Sequence, residues 1–273
     1  MKLFFFLLFP MVFLSGQNFT VIYELKYKPQ IGKDFITENF YLDVDKNLSV
    51  FRSEYNRESD SLVNKTGFGY GSKPTYNNQF DVLKNSDENT VFKMVTAPMF
   101  VDVYFIKPDL YTWNISSEKM IIANLECQKA DTDYGGRKWT AWFTSSIPLS
   151  DGPYIFGQLP GLIVKISDEN SDFVFDLVKV KQNKTTPPYV KKKGKEISWD
   201  DFKKLQKNYY DQPFSELRSR NIPMGKDDGN GNTKRLNETE MKQMENRMRK
   251  QIKDEYNPLE LNYKVDYDGK GER

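Results

Sequence analysis

Apolar and polar side chains alternate with a period of two where the chain passes position 18. The odd positions carry Phe19, Val21, Tyr23, Leu25 and Tyr27, and the even positions between them are mostly polar or charged. Because successive side chains of a strand point to opposite faces, this pattern predicts a strand with one well-buried face.

Further apolar stretches continue as far as position 180, and most of them are bounded by Gly, Pro, Asn, Asp or Ser. This spacing favours antiparallel strands that are joined by short turns. The further predicted strands cover residues 35–44, 48–55, 80–84, 91–96, 100–106, 111–115, 120–129, 138–144, 155–156, 162–167 and 173–180.

The pattern changes to a helical period near position 198. Ser198 and Asp201 form a start that resembles a capping box. Phe202, Leu205 and Tyr209 then follow at the spacing of one helix face. One amphipathic helix is therefore predicted to begin here.

A second helix is predicted over residues 237–256, and Pro258 ends it. Its apolar stripe consists of Met241, Met244, Met248, Ile252 and Tyr256. We favour the interpretation that this stripe packs on the sheet, as the apolar face of a docked helix does. The alternative is a soft partner-binding or copper-binding face, because thioether groups are adaptable and bind soft metals.

These patterns predict a mainly β (α+β) fold, a curved antiparallel sheet or open half-barrel with two C-terminal helical segments packed on it. Residues 17–182 are expected to form the β domain. Residues 183–263 are expected to be a linker and helices packed on the same domain, and residues 264–273 a flexible tail. The basic run at 191–195 is either a solvated part of the linker or a patch for phosphates or lipid headgroups.

The N-terminus has the composition of a signal peptide. A positive start, an almost wholly apolar run as far as position 14 and a small-residue end near Gly16 predict cleavage after residue 16. No later run is long and apolar enough to span a membrane. The protein is therefore expected to be exported, with a periplasmic, outer-membrane-associated or secreted location and no transmembrane segment after cleavage.

Composition limits the chemistry that this chain can perform. The sequence contains no histidine, which excludes serine–histidine–aspartate triads, cysteine–histidine nucleophiles and histidine-bearing zinc sites. A formal net charge of +2 gives no reason to expect a nucleic-acid partner. Asp228, Asn230 and Asn232 are spaced as in a calcium loop, but Thr233 and Thr239 stand where that loop needs glycine and glutamate. No metal or cofactor is predicted.

The most distinctive words of the sequence follow one another between positions 127 and 163. They read CQKA, GRKWTAWFT, IP, GPYIF and LPGLI, in that order. This series resembles the GLPGLI family of exported Bacteroidota proteins, a family without an established activity. The signal sequence, the helix near Phe202 and the NPLEL word at 257–261 are similar to the family too, so the resemblance extends over most of the chain.

The resemblance implies a structural motif more than a reaction. Its members here are Cys127, Gly152, Pro153, Leu159, Pro160, Gly161, Leu162 and Ile163. Pro160 and Gly161 predict a rigid turn into a buried strand. One residue departs from the family pattern, because Gln158 stands where the family usually has glycine, and a positive φ is costly there for glutamine.

Basic and aromatic residues beside this motif are the candidates for ligand binding. They are Lys129, Arg137, Lys138, Trp142 and Tyr154. Together they are suited to an acidic peptide end or an amphipathic ligand. The alternative is that Trp142 belongs to the core and that Arg137 satisfies buried carbonyl or carboxylate oxygens.

Cys127 is the only cysteine, so no internal disulfide is possible. Burial is the favoured interpretation of this residue, because free cysteine is among the most buried residue types. The leading hypothesis for function is an exported, non-enzymatic binding or accessory protein of unknown ligand, with an outer-membrane protein, a peptide or an amphipathic ligand as possible partners. A carboxylate-based hydrolase and a soft-metal protein that uses Cys127 and methionines are the alternatives.

Overall fold

The computed structural model describes residues 18–30, 32–70, 79–96, 102–222, 224–227 and 233–268. Several predictions fall wholly or partly elsewhere, among them the first two residues of the expected strand at 100–106. The signal peptide (1–16), the calcium-like run at 228–232 and the last five residues of the predicted tail lie outside the described residues.

Twelve strands of the described residues form one open, curved sheet. In chain order they are β1 (Asn18–Tyr27), β2 (Ile36–Asp45), β3 (Leu48–Ser53), β4 (Val82–Asn85), β5 (Thr90–Thr96), β6 (Val103–Ile106), β7 (Asn114–Ile122), β8 (Leu125–Tyr134), β9 (Arg137–Thr144), β10 (Leu162–Asp168), β11 (Phe173–Asn183) and β12 (Gly194–Glu196). Their order across the sheet is β12-β6-β5-β4-β3-β2-β1-β11-β10-β9-β8-β7. The pairs are antiparallel except β12 and β6, which are parallel.

The described residues also form four α-helices and one short 3-10 helix. They are α1 (Glu54–Thr66), α2 (Trp199–Asp211), α3 (Ser215–Ser219), α4 (Glu238–Asp254) and the short 3-10 helix Leu261–Tyr263. A separate hairpin joins β13 (Gly225–Asp227) to β14 (Thr233–Arg235). The predicted fold class is confirmed, and α2 and α4 fall where the helical periods predict them.

The helix α1 contradicts the expected strand at 48–55. The strand ends at Ser53, whose hydroxyl accepts a hydrogen bond from the backbone N–H of Asn56 at 3.2 Å and thereby caps the helix. The only buried residue of α1 is Asp60. A helix without a buried apolar face has no helical period in its sequence, which is why the pattern did not reveal it.

Two other predicted strand boundaries were wrong. Residues 111–129 contain β7 and β8, and the turn between them lies at Ala123 and Asn124, which both have positive φ. Ile155 and Phe156, predicted as a strand, lie in a turn. Local apolar character placed Ile155 and Phe156 in the core correctly but did not distinguish a strand from a buried loop.

The largest hydrophobic core covers one face of the sheet, which we call the inner face. Val21, Tyr23 and Leu25 of β1 belong to it and are fully buried. On the opposite, outer face a smaller cluster forms around Cys127, Trp142 and Val164. Strand alternation therefore assigns every residue of β8 and β9 to one of two separate surfaces.

Candidate functional site

The inner face is filled by two segments of the chain itself. The loop between β9 and β10, residues 145–161, adds Tyr154, Ile155, Phe156 and Leu159 to the large core, and Leu259 comes from the C-terminal segment. All five residues are at most 2% exposed. The interior that an open half-barrel offers to a ligand is therefore occupied by the protein's own side chains.

Lys84 of β4 holds the 145–161 loop from within the core. Its Nζ donates to Asp151 Oδ1 at 2.7 Å and to the carbonyl oxygens of Gly152 and Phe156 at 2.9 and 2.7 Å. Burial lowers the pKa of Lys84, and the nearby Asp151 carboxylate opposes that shift. Because these three hydrogen bonds join Lys84 of β4 to residues of the loop, they tie the loop to the sheet.

Arg137 joins β9 to the C-terminal segment. Its Nε donates to the carbonyl oxygen of Leu259 at 2.9 Å, and its Nη1 donates to Asp168 at 2.9 Å. The remaining nitrogen donates to Asn257 Oδ1 at 2.7 Å and to the carbonyl oxygen of Pro258 at 2.9 Å. Each nitrogen of the guanidinium is therefore engaged inside the protein, as the core interpretation of Arg137 predicts.

Glu260 lies at the centre of a second buried polar cluster, beside the one that Arg137 forms. Lys93 Nζ donates to Glu260 at 2.8 Å, and the hydroxyls of Tyr134 and Tyr154 donate to the same carboxylate. Burial, followed by the negative charge of Glu260, raises the pKa of both tyrosines well above the usual value. Tyr154 thus anchors the 145–161 loop to the C-terminal segment.

The five predicted ligand-binding residues do not form one surface. Arg137 and Tyr154 lie on the inner face, where the core encloses them. Trp142 packs with the outer cluster, and Lys129 lies directly opposite Trp142 in the β8–β9 ladder. Lys138 follows Arg137 and is exposed on the outer face. The sheet therefore lies between Arg137 and Tyr154 on one side and the other three residues on the other side.

Cys127 is fully buried in the outer cluster, beside Trp142 and Val164. Burial raises the pKa of its thiol. Lys129 shares its face of β8, but the Lys129 ammonium pairs with Glu118 at 3.3 Å. A reactive thiol needs the opposite shift of pKa, so the structure favours the packing role of Cys127.

The LPGLI motif is a turn that only glycine can complete. Gly161 has a φ of +145°, and a Cβ atom built on it would lie 2.0 Å from the carbonyl oxygen of Thr144. Gly152 packs closely too, because its Cβ would meet Ile163 at 2.7 Å. Gln158 adopts a φ of +65°, so this chain takes the left-handed conformation with glutamine where the resembled family has glycine.

An open cavity lies among the described residues where α2 begins, and we call it the α2 cavity. It has a volume of about 590 Å³. Its lining residues are Lys107, Glu196, Ile197, Ser198, Trp199, Asp200, Asp201 and Tyr263. They come from the ends of β6 and β12, the first turn of α2 and the 3-10 helix, so three distant parts of the chain build one site.

Two aromatic rings form the wall of the α2 cavity. Trp199 and Tyr263 stack with their centroids 4.6 Å apart and 4° between their planes. Lys93 Nζ lies 5.3 Å from the centroid of the Trp199 ring. The Tyr263 hydroxyl donates to Asp109, and burial and the Asp109 hydrogen bond raise the pKa of Tyr263 to about 12.

Carboxylates dominate the charge of the α2 cavity. Glu196 pairs with Lys107 at 3.0 Å, and both side chains are more than half exposed. Asp201 accepts hydrogen bonds from the Ser198 hydroxyl and from Lys204, which lower the pKa of Asp201. Asp200 is exposed, and no ion pair of its carboxylate is found in the part of the chain that the structure describes.

A smaller cavity of about 210 Å³ lies between α3, β14 and α4. Leu217, Leu236 and Met241 are among its lining residues, together with Arg218 and Arg235. Arg218 pairs with Glu245 of α4 at 2.8 Å. Arg218 therefore links α3 to α4 across the edge of this cavity.

Metal sites and membrane spans are two further features that a sequence of this kind can encode. Across the described ranges, no group of three or more cysteine, aspartate or glutamate side chains is arranged to hold a metal ion. None of the helices in those ranges combines the length and the apolar content that a membrane span requires.

The sequence did not reveal the α2 cavity. Trp199, Asp200 and Asp201 follow the capping residue Ser198, and acidic residues in the first turn of a helix are ordinary. Tyr263 lies far from them in sequence. The one local signal was a tryptophan at the first position of the helix, where a partly buried aromatic ring has no role in capping.

Comparison with known proteins identifies a short shared region. Residues 135–165 match a family described as a protein of unknown function, Porph_ging. No curated protein matches the chain. The chain is similar to crystal structures of PNGF-II in space groups P21 and C2, with 17% and 16% identity and a TM-score of 0.49 in both cases. The matches cover 69% and 70% of this chain but 33% and 32% of those structures, so the chain spans about a third of their length.

Proposed function

We propose that the chain is an exported, non-enzymatic binding or accessory protein of the periplasm or outer membrane, and that it binds its ligand at the α2 cavity. One observation carries the proposal. The inner face of the sheet is closed by the chain's own loop and C-terminal segment, whereas the α2 cavity presents aromatic and charged groups to solvent. Export is inferred from the sequence of residues 1–16.

Within the α2 cavity, the state of the carboxylates favours binding over hydrolysis. A carboxylate pair that cleaves glycosidic bonds needs one acid with a raised pKa. In the α2 cavity the hydrogen bonds from Ser198 and Lys204 shift the pKa of Asp201 in the opposite direction. Glu260, the most enclosed carboxylate of the neighbouring network, is held by Lys93 and two tyrosines.

A soft-metal function has less support. Met120 lies opposite Cys127 in the β7–β8 ladder, which brings one thioether and the only thiol to the same part of the sheet. Metal binding requires the thiolate, however, and full burial raises the pKa of Cys127.

In α4, Met248 accepts a weak hydrogen bond from Tyr209 of α2 at 3.9 Å, and Ile252 of the same stripe packs with Val265 and Tyr267. The stripe therefore packs on α2 and the C-terminal segment, and the expectation that it packs on the sheet was wrong.

We propose in addition that the chain belongs to the GLPGLI family. The support comes from the ordered words between positions 127 and 163 and from the matched region 135–165, which contains most of them. Because that family has no established activity, membership of it adds nothing to the proposed function.

Native mass spectrometry of the protein purified from its own cells tests the proposed function. We expect a non-covalent ligand or partner on the wild type and a marked loss of it in Asp200→Arg, which reverses an exposed charge of the α2 cavity. Glu88→Arg is the matched control, because Glu88 is exposed in the turn between β4 and β5. Bare monomer from the wild type, or equal occupancy in Asp200→Arg, would contradict the proposal.

A further inference from the structure

We propose that the α2 cavity binds a basic segment of an extended polypeptide, with a guanidinium or ammonium side chain beside Asp200 and Tyr263 and a backbone carbonyl oxygen for the indole N–H of Trp199. The inference rests on the proposed function, because it names the ligand of the same cavity. Four features of the cavity select this ligand.

The first feature is charge. The lining contains the carboxylates of Glu196, Asp200 and Asp201 against the single ammonium group of Lys107. Lys107 already pairs with Glu196, and Lys204 and Ser198 engage Asp201. Asp200 is left as the exposed carboxylate that a cationic ligand can reach.

The second feature is the half-buried ring of Tyr263. One face of this ring is covered by Trp199, and Tyr263 also lines the cavity, so a ligand in the cavity can contact the rest of the ring. Lys93 lies over the Trp199 ring, and the stack is therefore already a cation followed by two aromatic rings. A second cation against the Tyr263 ring would complete the series, since ring faces attract guanidinium and ammonium groups.

The third feature is an unsatisfied donor. Trp199 lines the cavity and is 8% exposed, and its indole N–H has no acceptor among the described residues. A buried donor without a partner is costly, so an acceptor brought by a ligand is favoured there. A simple cation cannot supply that acceptor, whereas a peptide carries a carbonyl oxygen in every residue.

The fourth feature is the surface beside the cavity. Tyr263 is held by Asp109, and the next residue, Leu110, is a fully exposed apolar side chain. An exposed leucine next to an open cavity is suited to a polypeptide that continues past the site. The cavity is open, so it fits a side chain and its backbone laid across the surface.

An NMR titration of the ¹⁵N-labelled protein tests the inference. The probe is the peptide Gly-Gly-Arg-Gly-Gly with acetylated and amidated ends. The chain has four tryptophans, and the indole signal of Trp199 is assigned by its loss in Trp199→Phe. We expect the peptide to shift the Trp199 indole signal, and the signals of the other tryptophans to stay in place.

Three comparisons define the chemistry. The same peptide with citrulline in place of arginine keeps the size but removes the charge, and n-butylguanidine keeps the guanidinium but has no backbone carbonyl. We expect weaker binding of both. Asp200→Asn should weaken the binding of the arginine peptide about 1.5- to five-fold, the range for an exposed ion pair, and Glu88→Gln should leave its affinity unchanged.

Each opposite result overturns the inference. Equal affinity for the arginine and citrulline peptides would show that the cavity does not recognise the charge. Equal affinity for n-butylguanidine and the arginine peptide would show that the cavity does not recognise the backbone carbonyl. A Trp199 signal that moves with a co-purified compound but not with the arginine peptide overturns the ligand class and leaves the proposed function standing. If neither moves that signal, both proposals fail.

Discussion

At the scale of single residues, the turn after β9 is built on backbone conformations that side chains rarely adopt. Gly161 and Gln158 both have positive φ, and so does the buried Tyr154. Such conformations persist only where surrounding contacts determine them. Here the contacts are the hydrogen bonds of Lys84 and Glu260 to the same loop.

Gly161→Ala should destabilise the protein by about 3 kcal/mol or more, because the new Cβ would lie 2.0 Å from the carbonyl oxygen of Thr144. Urea unfolding followed by circular dichroism measures the change. The control is Gly157→Ala, whose Cβ would have its nearest neighbour at 3.4 Å. Equal losses in the two variants would show that the close approach at Gly161 has no special cost.

Gln158→Gly should have the opposite effect on the free energy of unfolding and stabilise the protein by about 1 kcal/mol. Glutamine at a φ of +65° carries a steric penalty that glycine lacks. The same unfolding experiment measures the gain. A loss of stability on this substitution would mean that the Gln158 side chain contributes more than its backbone costs.

Arg137→Met should destabilise the protein by about 3–5 kcal/mol, since it leaves the fully buried Asp168 carboxylate without its cation. Its neighbour provides the control, because Lys138 is exposed and Lys138→Met should change stability by less than about 0.5 kcal/mol. Similar unfolding midpoints for the two variants would contradict the buried role of Arg137.

The sequence predicts some of these residues and not others, for a physical reason. Pro160 and Gly161 reveal their turn because backbone preference is local. The partners of Arg137 are Asp168, Asn257 and two carbonyl groups of the C-terminal segment, and these meet only after the sheet has formed. The sequence alone therefore does not show whether Arg137 binds a ligand or closes the core.

At the scale of elements, α1 is attached to the sheet by polar groups instead of an apolar stripe. Arg52 of β3 pairs with Asp60 of α1 and with Asp43 of β2. Arg57 of α1 also pairs with Asp43, at 2.9 Å. Asp81 accepts a hydrogen bond from Asn56 of the same helix at 2.6 Å. This attachment explains both the presence of α1 and its absence from the hydrophobic pattern.

Asp81→Asn should remove one component of the pH dependence of stability. Burial raises the pKa of Asp81 from 3.8 to about 6, so the folded state holds the proton more tightly than the unfolded state. The wild type therefore loses stability from this group as pH rises from about 4 to 6, by about 2 kcal/mol. Asn cannot titrate, so Asp81→Asn should match the wild type near pH 4 and exceed it near pH 7.

Urea unfolding of both proteins between pH 4 and 7 measures this difference. Glu88→Gln is the control, because Glu88 is exposed and its removal should give a difference that is flat with pH. A stability difference between the wild type and Asp81→Asn that does not change with pH would show that the pKa of Asp81 is not raised in the folded state.

At the scale of the whole molecule, the alternating pattern is enough to predict an open sheet with C-terminal helices, because it depends on periods that span whole strands. It cannot predict what fills the inner face. The 145–161 loop and the C-terminal segment reach that face through contacts between residues more than 100 positions apart, such as Tyr154 with Glu260. The α2 cavity is likewise assembled from residues near 107, 196–201 and 263.

We propose a closed inner face and ligand binding at the α2 cavity. Both are tested together by a crystal structure of the protein grown with the arginine pentapeptide. We predict density beside Asp200 and Tyr263, with the 145–161 loop still packed over the sheet. Density between Arg137 and Tyr154, with that loop displaced from the inner face, would contradict the account.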